Sequence, residues 1–383
     1  MSDDGDQRGN LLMLSGDTVL ATGKRGVFHG VLEELARHFD RIDVISPRPD
    51  GPVTTRDLFE NVRLHPASGG RAAQVGHILS TARALLAERP YRIATSHDYG
   101  TFYNGRAAVR LKREFGLPFL SEIHHVPGHP RPASFRERIE KLLCRIWVRT
   151  AAKEAAAIRV VNRVEAKEVL ASFGVPDDRI RVIPSLYLDL EVFRPRDVEK
   201  TFDVVVVGRL VANKRFDLVI DALGRLKKMG REVTLRLVGT GPLEADLLAA
   251  ADRHGVREQV THERFLPTVD DLATAYARAR MLVCASTSEG GPRVTCEAMA
   301  CGTPVVTTPV GIMTELVRDG ENGLFFRWDA AELAERIEAV LDDPARAAAM
   351  GTAGREAVRP YERVAMIRNY AEELRRLAAE ARA

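Results

Sequence analysis

The sequence predicts an α/β protein built from two doubly wound, parallel-sheet domains that face a central cleft. Three observations carry that expectation. Short β-branched runs alternate with longer helical patterns from end to end, which calls for parallel strands covered on both faces. The pattern restarts near Asp203 with Val204-Val205-Val206-Val207-Gly208. The chain has 383 residues, and at about 100–200 residues per domain that is enough for two cores.

In the first half the expected strands are 10–15, 41–46, 61–66, 93–97, 118–124, 157–161 and 179–184, with helices at 72–88, 101–115, 135–149 and 164–173 between them. In the second half strands are expected at 203–207, 234–238, 260–266, 281–284 and 304–307, and helices at 216–229, 243–254, 269–277 and 294–300. From Ala331 the pattern is helical, interrupted at Pro344 and Pro360. Residues 186–201 carry Pro195 and charges without sustained periodicity, and read as a linker. The resulting division is a frayed tail (1–9), a first domain (10–185), the linker, and a second domain (202–358). A C-terminal helix (359–383) is expected to pack back toward the first domain. Ligands of such sheets sit beyond the carboxyl ends of the strands.

Composition narrows the function. Apolar residues make up 45% and charged residues 28%, the balance of a globular protein with a real core. The four cysteines (Cys144, Cys284, Cys296, Cys301) are too few and too uneven for a disulfide framework. No second Cys/His pair completes a zinc set, so no metal site is expected. The start Met-Ser-Asp-Asp-Gly-Asp is acidic where a signal peptide is basic. No run approaches the length of a membrane span, and a cytoplasmic location is expected. Residues 1–185 hold 28 basic and 22 acidic side chains against a whole-chain net charge of +3. That excess is too mild for a nucleic-acid partner, but it suits an anionic ligand or surface.

Two segments concentrate chemistry. The first runs from Ser288-Glu289-Gly290-Gly291-Pro292-Arg293-Val294-Thr295-Cys296-Glu297 to Gly302-Thr303-Pro304. A strand, a Gly-Gly-Pro turn and a helix start leave free backbone N–H groups that attract an anion. Glu289 and Glu297 bracket that point, as carboxylates would if the ligand also carried hydroxyls. A capped helix with solvated glutamates is the plainer reading. The second is Gly208-Arg209-Leu210-Val211-Ala212-Asn213-Lys214, which puts two cations above a strand end, where a diphosphate would lie. An ordinary basic loop is its plainer reading. Val238-Gly239-Thr240-Gly241-Pro242 and Val310-Gly311-Ile312-Met313-Thr314-Glu315 are further strand-to-glycine turns. None is a dinucleotide fingerprint or a Gly-Lys-Ser/Thr phosphate loop, which disfavours a nicotinamide dehydrogenase or a P-loop ATPase.

Taken together, these motifs resemble the retaining glycosyltransferases of family 4, whose E-x7-E signature the Glu289–Glu297 segment matches. The likeness extends through Gly208-Arg209 with Lys214, Val238-Gly239 with Gly241-Pro242, Phe265-Leu266-Pro267 and Asp319-Gly320-Glu321-Asn322-Gly323-Leu324. In the first half His97-Asp98, Glu122-Ile123-His124-His125 and Arg181-Val182-Ile183-Pro184 also fit. The resemblance implies the GT-B architecture of two Rossmann-like domains, and transfer of a hexosyl-type group from a nucleotide-diphosphate sugar to a hydroxyl acceptor. It implies that Arg209 and Lys214 bind the diphosphate, Glu297 the ribose, and Glu289 the hydroxyls of the moving sugar. Gly290, Gly291, Pro292, Arg293, Val294 and Thr295 would cradle sugar and phosphate, with Gly26, Gly208, Gly239 and Leu266 completing the donor pocket. His124 or His125 would reach the sugar across the cleft; His124 is favoured because it sits closer to the strand end. Retention by internal return, with the departing phosphate helping to deprotonate the acceptor, is also implied.

No D-x-D follows a strand, the one instance being Asp4-Gly5-Asp6 in the tail, so neither a divalent metal nor another cofactor is expected. The sequence departs from the family pattern at Gly291, where a bulky residue is common, at Arg293 beside it, and in the loop 15–30. That loop has Gly16, Gly23 and Gly26 but not the usual adjacent pair. The acceptor is expected to be a glycan, a lipid-linked molecule or a small molecule. The segment 135–149 interleaves Arg138, Lys141, Arg145 and Arg149 with Leu142, Leu143, Ile146 and Trp147. It reads either as a core helix with a solvated basic face or as a helix lying on an anionic membrane. A sugar-nucleotide epimerase of the same fold, and a non-catalytic nucleotide-sugar-binding subunit, are the competing readings.

Overall fold

The computed structural model describes residues 8–382. Most of the expected tail, including Asp4-Gly5-Asp6, lies outside the described residues. Gly9 is not frayed: its N–H donates to the Asp40 carboxylate at 2.8 Å, and its carbonyl accepts from the Asp40 N–H.

The first sheet contains β1 (Asn10–Leu14), β2 (Arg41–Ser46), β3 (Asp57–Leu58), β4 (Val62–Pro66), β5 (Ile93–His97), β6 (Phe119–Ile123), β7 (Ala157–Val160) and β8 (Ile180–Val182). Their order is β3-β4-β2-β1-β5-β6-β7-β8, parallel except for β3 against β4. Its helices are α1 (Val27–Leu35), α2 (Gln74–Glu88), α3 (Tyr103–Phe115), α4 (Phe135–Glu154) and α5 (Glu168–Ser172), the last preceded by a π-helical turn at Arg163–Lys167. The alternation of β1 divides the core: Leu12 and Leu14 face Ile78, Phe119 and Trp147, while Leu11 and Met13 face Leu32, Ile42 and Leu374.

The second sheet contains β9 (Phe202–Val207), β10 (Leu235–Val238), β11 (Val260–Glu263), β12 (Ala279–Cys284), β13 (Val305–Thr307) and β14 (Leu324–Phe325), in the order β11-β10-β9-β12-β13-β14. Around it lie α6 (Phe216–Lys228), α7 (Glu244–Arg253), α8 (Val269–Ala277), α9 (Arg293–Ala300), α10 (Met313–Leu316), α11 (Ala330–Asp342) and α12 (Pro344–Val358), after which α13 (Arg363–Glu380) returns to the first sheet. The all-valine run of β9 is central and covered on both faces, with Val204 paired to Leu235 and Val206 to Leu237. Strand order reverses between β1 and β5 and again between β9 and β12, and the carboxyl ends at these two points border the cleft.

Several expectations need correction. Helix α1 occupies part of the segment read as a glycine loop, because Val31, Leu32 and Leu35 share a buried face that Gly26 and Gly30 disguise. Helix α4 continues five residues beyond 149. The strand expected at 260–266 stops at Glu263, and β3 and β14 are too short to show a period. Residues 186–201, read as a linker, are packed: Leu186, Leu188 and Phe193 are buried, and Leu188 bridges to Glu362. Helix α13 lies against α1 of the first sheet and buries Ile367, Tyr370 and Leu374 there.

Candidate active site

One wall of the cleft is built on the carboxyl ends of β9 and β10. Gly208 (φ +151°) and Gly239 (φ +144°) bring the two following turns into backbone contact. A Cβ on Gly239 would lie 1.9 Å from the Gly208 carbonyl oxygen, so no larger residue fits. This crossing presents Arg209, exposed, its carbonyl accepting from the Val211 N–H and its guanidinium without a hydrogen bond or ion pair among the described residues. Lys214 follows in the turn Ala212–Lys214 and donates to the Glu289 carboxylate. The Asn213 carbonyl accepts from the Thr287 N–H at 2.8 Å, and its amide donates to the Ser288 carbonyl at 3.3 Å. The basic turn and the glutamate loop are thus one assembly, which neither plainer reading predicted.

The glutamate loop links β12 to α9. Pro292 is the N-cap residue of α9; its carbonyl accepts from the Thr295 and Cys296 N–H groups, which leaves the N–H groups of Arg293 and Val294 without a partner among the described residues. Thr295 is fully buried, Val294 is partly so, and Gly291 is exposed. Glu297 is buried in the second turn, where one oxygen accepts from Tyr276 Oη at 2.9 Å and the other from Arg293 Nε at 2.7 Å. Burial raises its pKa, and the Arg293 cation opposes the rise. Each oxygen retains capacity for one more donor. The two glutamates share no partner: Glu289 belongs to Lys214, and Glu297 to Arg293 and Tyr276. Gly26, Leu266, Arg293 and Glu297 line one groove of about 630 Å³, which α1 borders from the first domain.

The opposite wall comes from β1, β5, β6 and β7. The His97 and His124 rings lie 4.6 Å apart between centroids, tilted by 52°, and line a cavity of about 390 Å³ with Asp17, Thr95, Tyr187 and Tyr370. Beneath them Arg159 pairs with Glu122 at 2.7 Å, and its cation lies 4.2 Å over the Tyr370 ring. Tyr187 accepts from Arg159, while Tyr370 donates to Glu122. Burial, then the neighbouring His97 and Arg159, drives the His124 pKa well down, so its ring is neutral at pH 7. His125 keeps solvent contact at the cleft, where desolvation by the surrounding protein lowers its pKa and the nearby Glu289 carboxylate pulls the other way. The two histidines therefore have different surroundings, His124 the first-domain cavity and His125 the Lys214–Glu289 pair.

The walls meet at Gly290. Its carbonyl accepts from Asn162 Nδ2 at 2.9 Å and from the Ile312 N–H at 3.0 Å. The Glu165 carboxyl group accepts from the Gly311 N–H, and Glu315 accepts from the N–H groups of Arg163 and Val164. Sequence reasoning missed Arg159, Tyr276, Tyr370, Asn162 and Glu165. A charged residue inside the apolar run Ala157-Ile158-Arg159-Val160 was a usable signal; the others had none. Among the described residues no three His, Cys, Asp or Glu side chains converge as metal ligands.

Residues 26–186 match the family model described as Glycosyltransferase Family 4, and residues 190–357 match the one described as Glycosyl transferases group 1. The D-inositol 3-phosphate glycosyltransferase 1 of Catenulispora acidiphila is 30% identical over 292 residues, 70% of this chain and 68% of that protein. The chain belongs to glycosyltransferase family 4. The 2-deoxystreptamine glucosyltransferase of Streptomyces kanamyceticus is 31% identical over 268 residues, 66% of this chain and 68% of that protein. Among solved structures, sucrose-phosphate synthase from Thermosynechococcus elongatus superposes with a TM-score of 0.82 at 20% identity, covering 97% of this chain and 100% of that one. Anabaena HepE in complex with UDP-glucose gives 0.75 at 20%, covering 95% and 98%. These likenesses establish the GT-B fold. In this glycosyltransferase the basic turn and glutamate loop fall within the second matched region, and both histidines within the first. Among its described residues no helix is long and apolar enough to cross a membrane.

Proposed function

We propose that this glycosyltransferase moves a hexosyl group from a nucleoside-diphosphate sugar to a hydroxyl acceptor, with retention and without a divalent metal. The observation that carries the reading is the convergence at the β9 end of unpartnered Arg209, the Lys214–Glu289 pair and the amide-rich start of α9. A diphosphate fits between the two cations and those amides, with the nucleoside in the groove over Glu297. That HepE has been solved with UDP-glucose supports a nucleotide-sugar donor.

Arg209 and Lys214 neutralise charge as the bond from C1 to the diphosphate oxygen breaks. Lys214 turning to the phosphate frees Glu289 to accept hydrogen bonds from sugar hydroxyls. The acceptor oxygen bonds C1 on the face the diphosphate leaves, and its proton passes to the departing phosphate oxygen. The neutral His124 and the exposed His125 border the sugar position, and neither carries a fixed positive charge that would compete with the cations.

A thermal-shift panel of UDP, GDP and ADP with their sugar conjugates, all in EDTA, tests the donor class. Ligand at 100 times its dissociation constant stabilises by about 2.7 kcal/mol. A strong response to one nucleotide family, followed by EDTA-resistant transfer of its sugar, is the expected result. Silence across the panel would remove the diphosphate assignment.

A further inference from the structure

Helix α4 carries a face that the fold leaves uncovered. Cys144, Trp147, Val148 and Ala151 pack into the first-domain core. On the other side Phe135 is 74% exposed, Ile139 47%, Leu142 57%, Leu143 36% and Ile146 57%. Their spacing of i, i+4, i+7, i+8 and i+11 makes one continuous stripe, about 16 Å long at 1.5 Å per residue. A core helix with a solvated basic face would show arginines there, not five large apolar side chains.

Cations border the stripe. By helical spacing Arg138, Arg145 and Arg149 run along one flank and Arg136 along the other. The carboxylates of the same segment are engaged: Glu140 pairs with Arg136 at 2.8 Å, and Glu137 folds back onto the Ala133 N–H at 2.7 Å. Arg145 lies over the Phe173 ring and Arg149 donates to the Phe173 carbonyl, which pins both guanidinium groups beside the stripe. At the N-terminal end, Phe135, Ile139 and Leu143 form one side of a cavity of about 590 Å³. Arg48, Arg71 and Tyr99, beyond the carboxyl ends of β2, β4 and β5, stand on its other sides, with Asp50 held by the Thr18 hydroxyl.

We propose that α4 docks this glycosyltransferase in-plane on an anionic bilayer, so that a lipid-borne, negatively charged acceptor enters the Arg48/Arg71 cavity beside the cleft. The docking stands on the surface alone; the acceptor role rests on the transfer reaction proposed above. A second copy of the chain is the weaker occupant, because a two-fold contact through this face would set the arginine flanks against each other. The stripe is also longer than a single sugar ring. An amphipathic helix with basic flanks lies at the headgroup–acyl boundary, and each arginine near an anionic surface adds about fivefold to binding.

The test is flotation of the full chain with vesicles of equal parts phosphatidylglycerol and phosphatidylcholine, against vesicles of phosphatidylcholine alone. The wild type should float with the anionic vesicles only. Ile139→Glu/Leu142→Glu/Ile146→Glu should abolish flotation, and Arg138→Glu/Arg145→Glu should reduce it at least tenfold. Arg264→Glu/Arg327→Glu, an equal charge change on the second domain, should leave it intact. Because the substituted positions are exposed, circular dichroism should show all variants folded. Absence of flotation, or flotation unchanged in the triple variant, overturns the proposal. So does a concentration-dependent dimer in gel filtration that the triple variant dissolves, which would give the face to a second copy. None of these outcomes bears on the nucleotide response, so the donor reading is judged separately. If docking holds, transfer to a phospholipid-linked acceptor should require intact α4, while donor hydrolysis in solution should not.

Discussion

Gly290 is held in backbone contact with the first domain, and Gly290→Ala is the sharpest test of that approach. A Cβ there would lie 1.6 Å from the His124 carbonyl oxygen and 3.0 Å from Val161 Cγ2. The first contact is with backbone, so no side-chain rotation relieves it; the glutamate loop and the end of β6 must move apart. Overpacking of this kind costs about 1–3 kcal/mol. The displaced Gly290 carbonyl also weakens its bonds from Asn162 and Ile312, at about 0.5–1.5 kcal/mol each. A total near 3 kcal/mol, at 1.4 kcal/mol per factor of ten, shifts the closed arrangement about 100-fold. Because the clash lies between domains, a hinge opening relieves it without unfolding either core. The expected result is a kcat/KM for the donor lower by about 100-fold, with an unchanged circular dichroism spectrum. Gly291→Ala is the control: its Cβ would sit 3.4 Å from Ile312 Cγ2, an ordinary contact, and activity should stay within a few-fold. Wild-type kinetics in Gly290→Ala would show that the working enzyme never brings His124 and the glutamate loop together as described.

The remaining predictions concern the charges. Arg209→Ala/Lys214→Ala removes two charge-assisted contacts of about 1.5–3 kcal/mol each; calorimetry should show nucleoside-diphosphate binding weakened about 100-fold or more, and unchanged binding would refute the cation assignment. Glu289→Gln should lower kcat about 100-fold without weakening the nucleotide, since it releases Lys214 toward the phosphate; parallel losses in turnover and affinity would contradict a role at the sugar. The Glu165 carboxyl is pushed up to about 8, first by burial and further by Glu289, against the Gly311 amide. A raised pKa means that the protonated form belongs to the closed contact, so closure is fully present at low pH and lost as pH rises through about 8. Donor kcat/KM should fall across that point in the wild type but not in Glu165→Gln; identical pH profiles would remove Glu165 from the closure.

The legible parts of this molecule were those with local signatures. The valine run of β9 announced the second domain, because a central parallel strand is apolar on both faces. Gly208, Gly239 and Gly290 stand where backbones nearly touch, a demand only glycine meets. Helix α1 was hidden because two glycines interrupt its period, and β14 because two residues have none. The partners of the glutamates were illegible for another reason. Tyr276 reaches Glu297 from α8, and Tyr370 reaches Glu122 across 248 positions of sequence. Contacts of that kind are fixed by the topology of the two sheets, which no local spacing encodes. The basic helix was half legible: its arginines were evident, but only the packing of Cys144 and Trp147 decides that Phe135 and Ile139 face outward.

The glutamate loop is held from both sides, and this bears on how the enzyme would couple donor binding to closure. Its second-domain support is the Asn213 and Lys214 turn; its first-domain support is Asn162 on the Gly290 carbonyl, with Glu165 on the adjoining Gly311 amide. Asn162 also caps the helical turn that carries Glu165, so the two first-domain contacts move as one unit. A diphosphate that draws Lys214 from Glu289 therefore leaves that carboxylate facing His125 and Glu165, with its cation gone. Two outcomes reduce the unbalanced charge: Glu165 stays protonated, or a sugar hydroxyl donates to Glu289. The second requires the complete donor rather than the nucleotide alone. Closure should accordingly be tighter with a nucleotide-sugar than with its nucleoside diphosphate, and the difference should shrink in Glu289→Gln. Small-angle scattering with each ligand would read it directly, and equal compaction with both would show that the sugar has no part in closing the cleft.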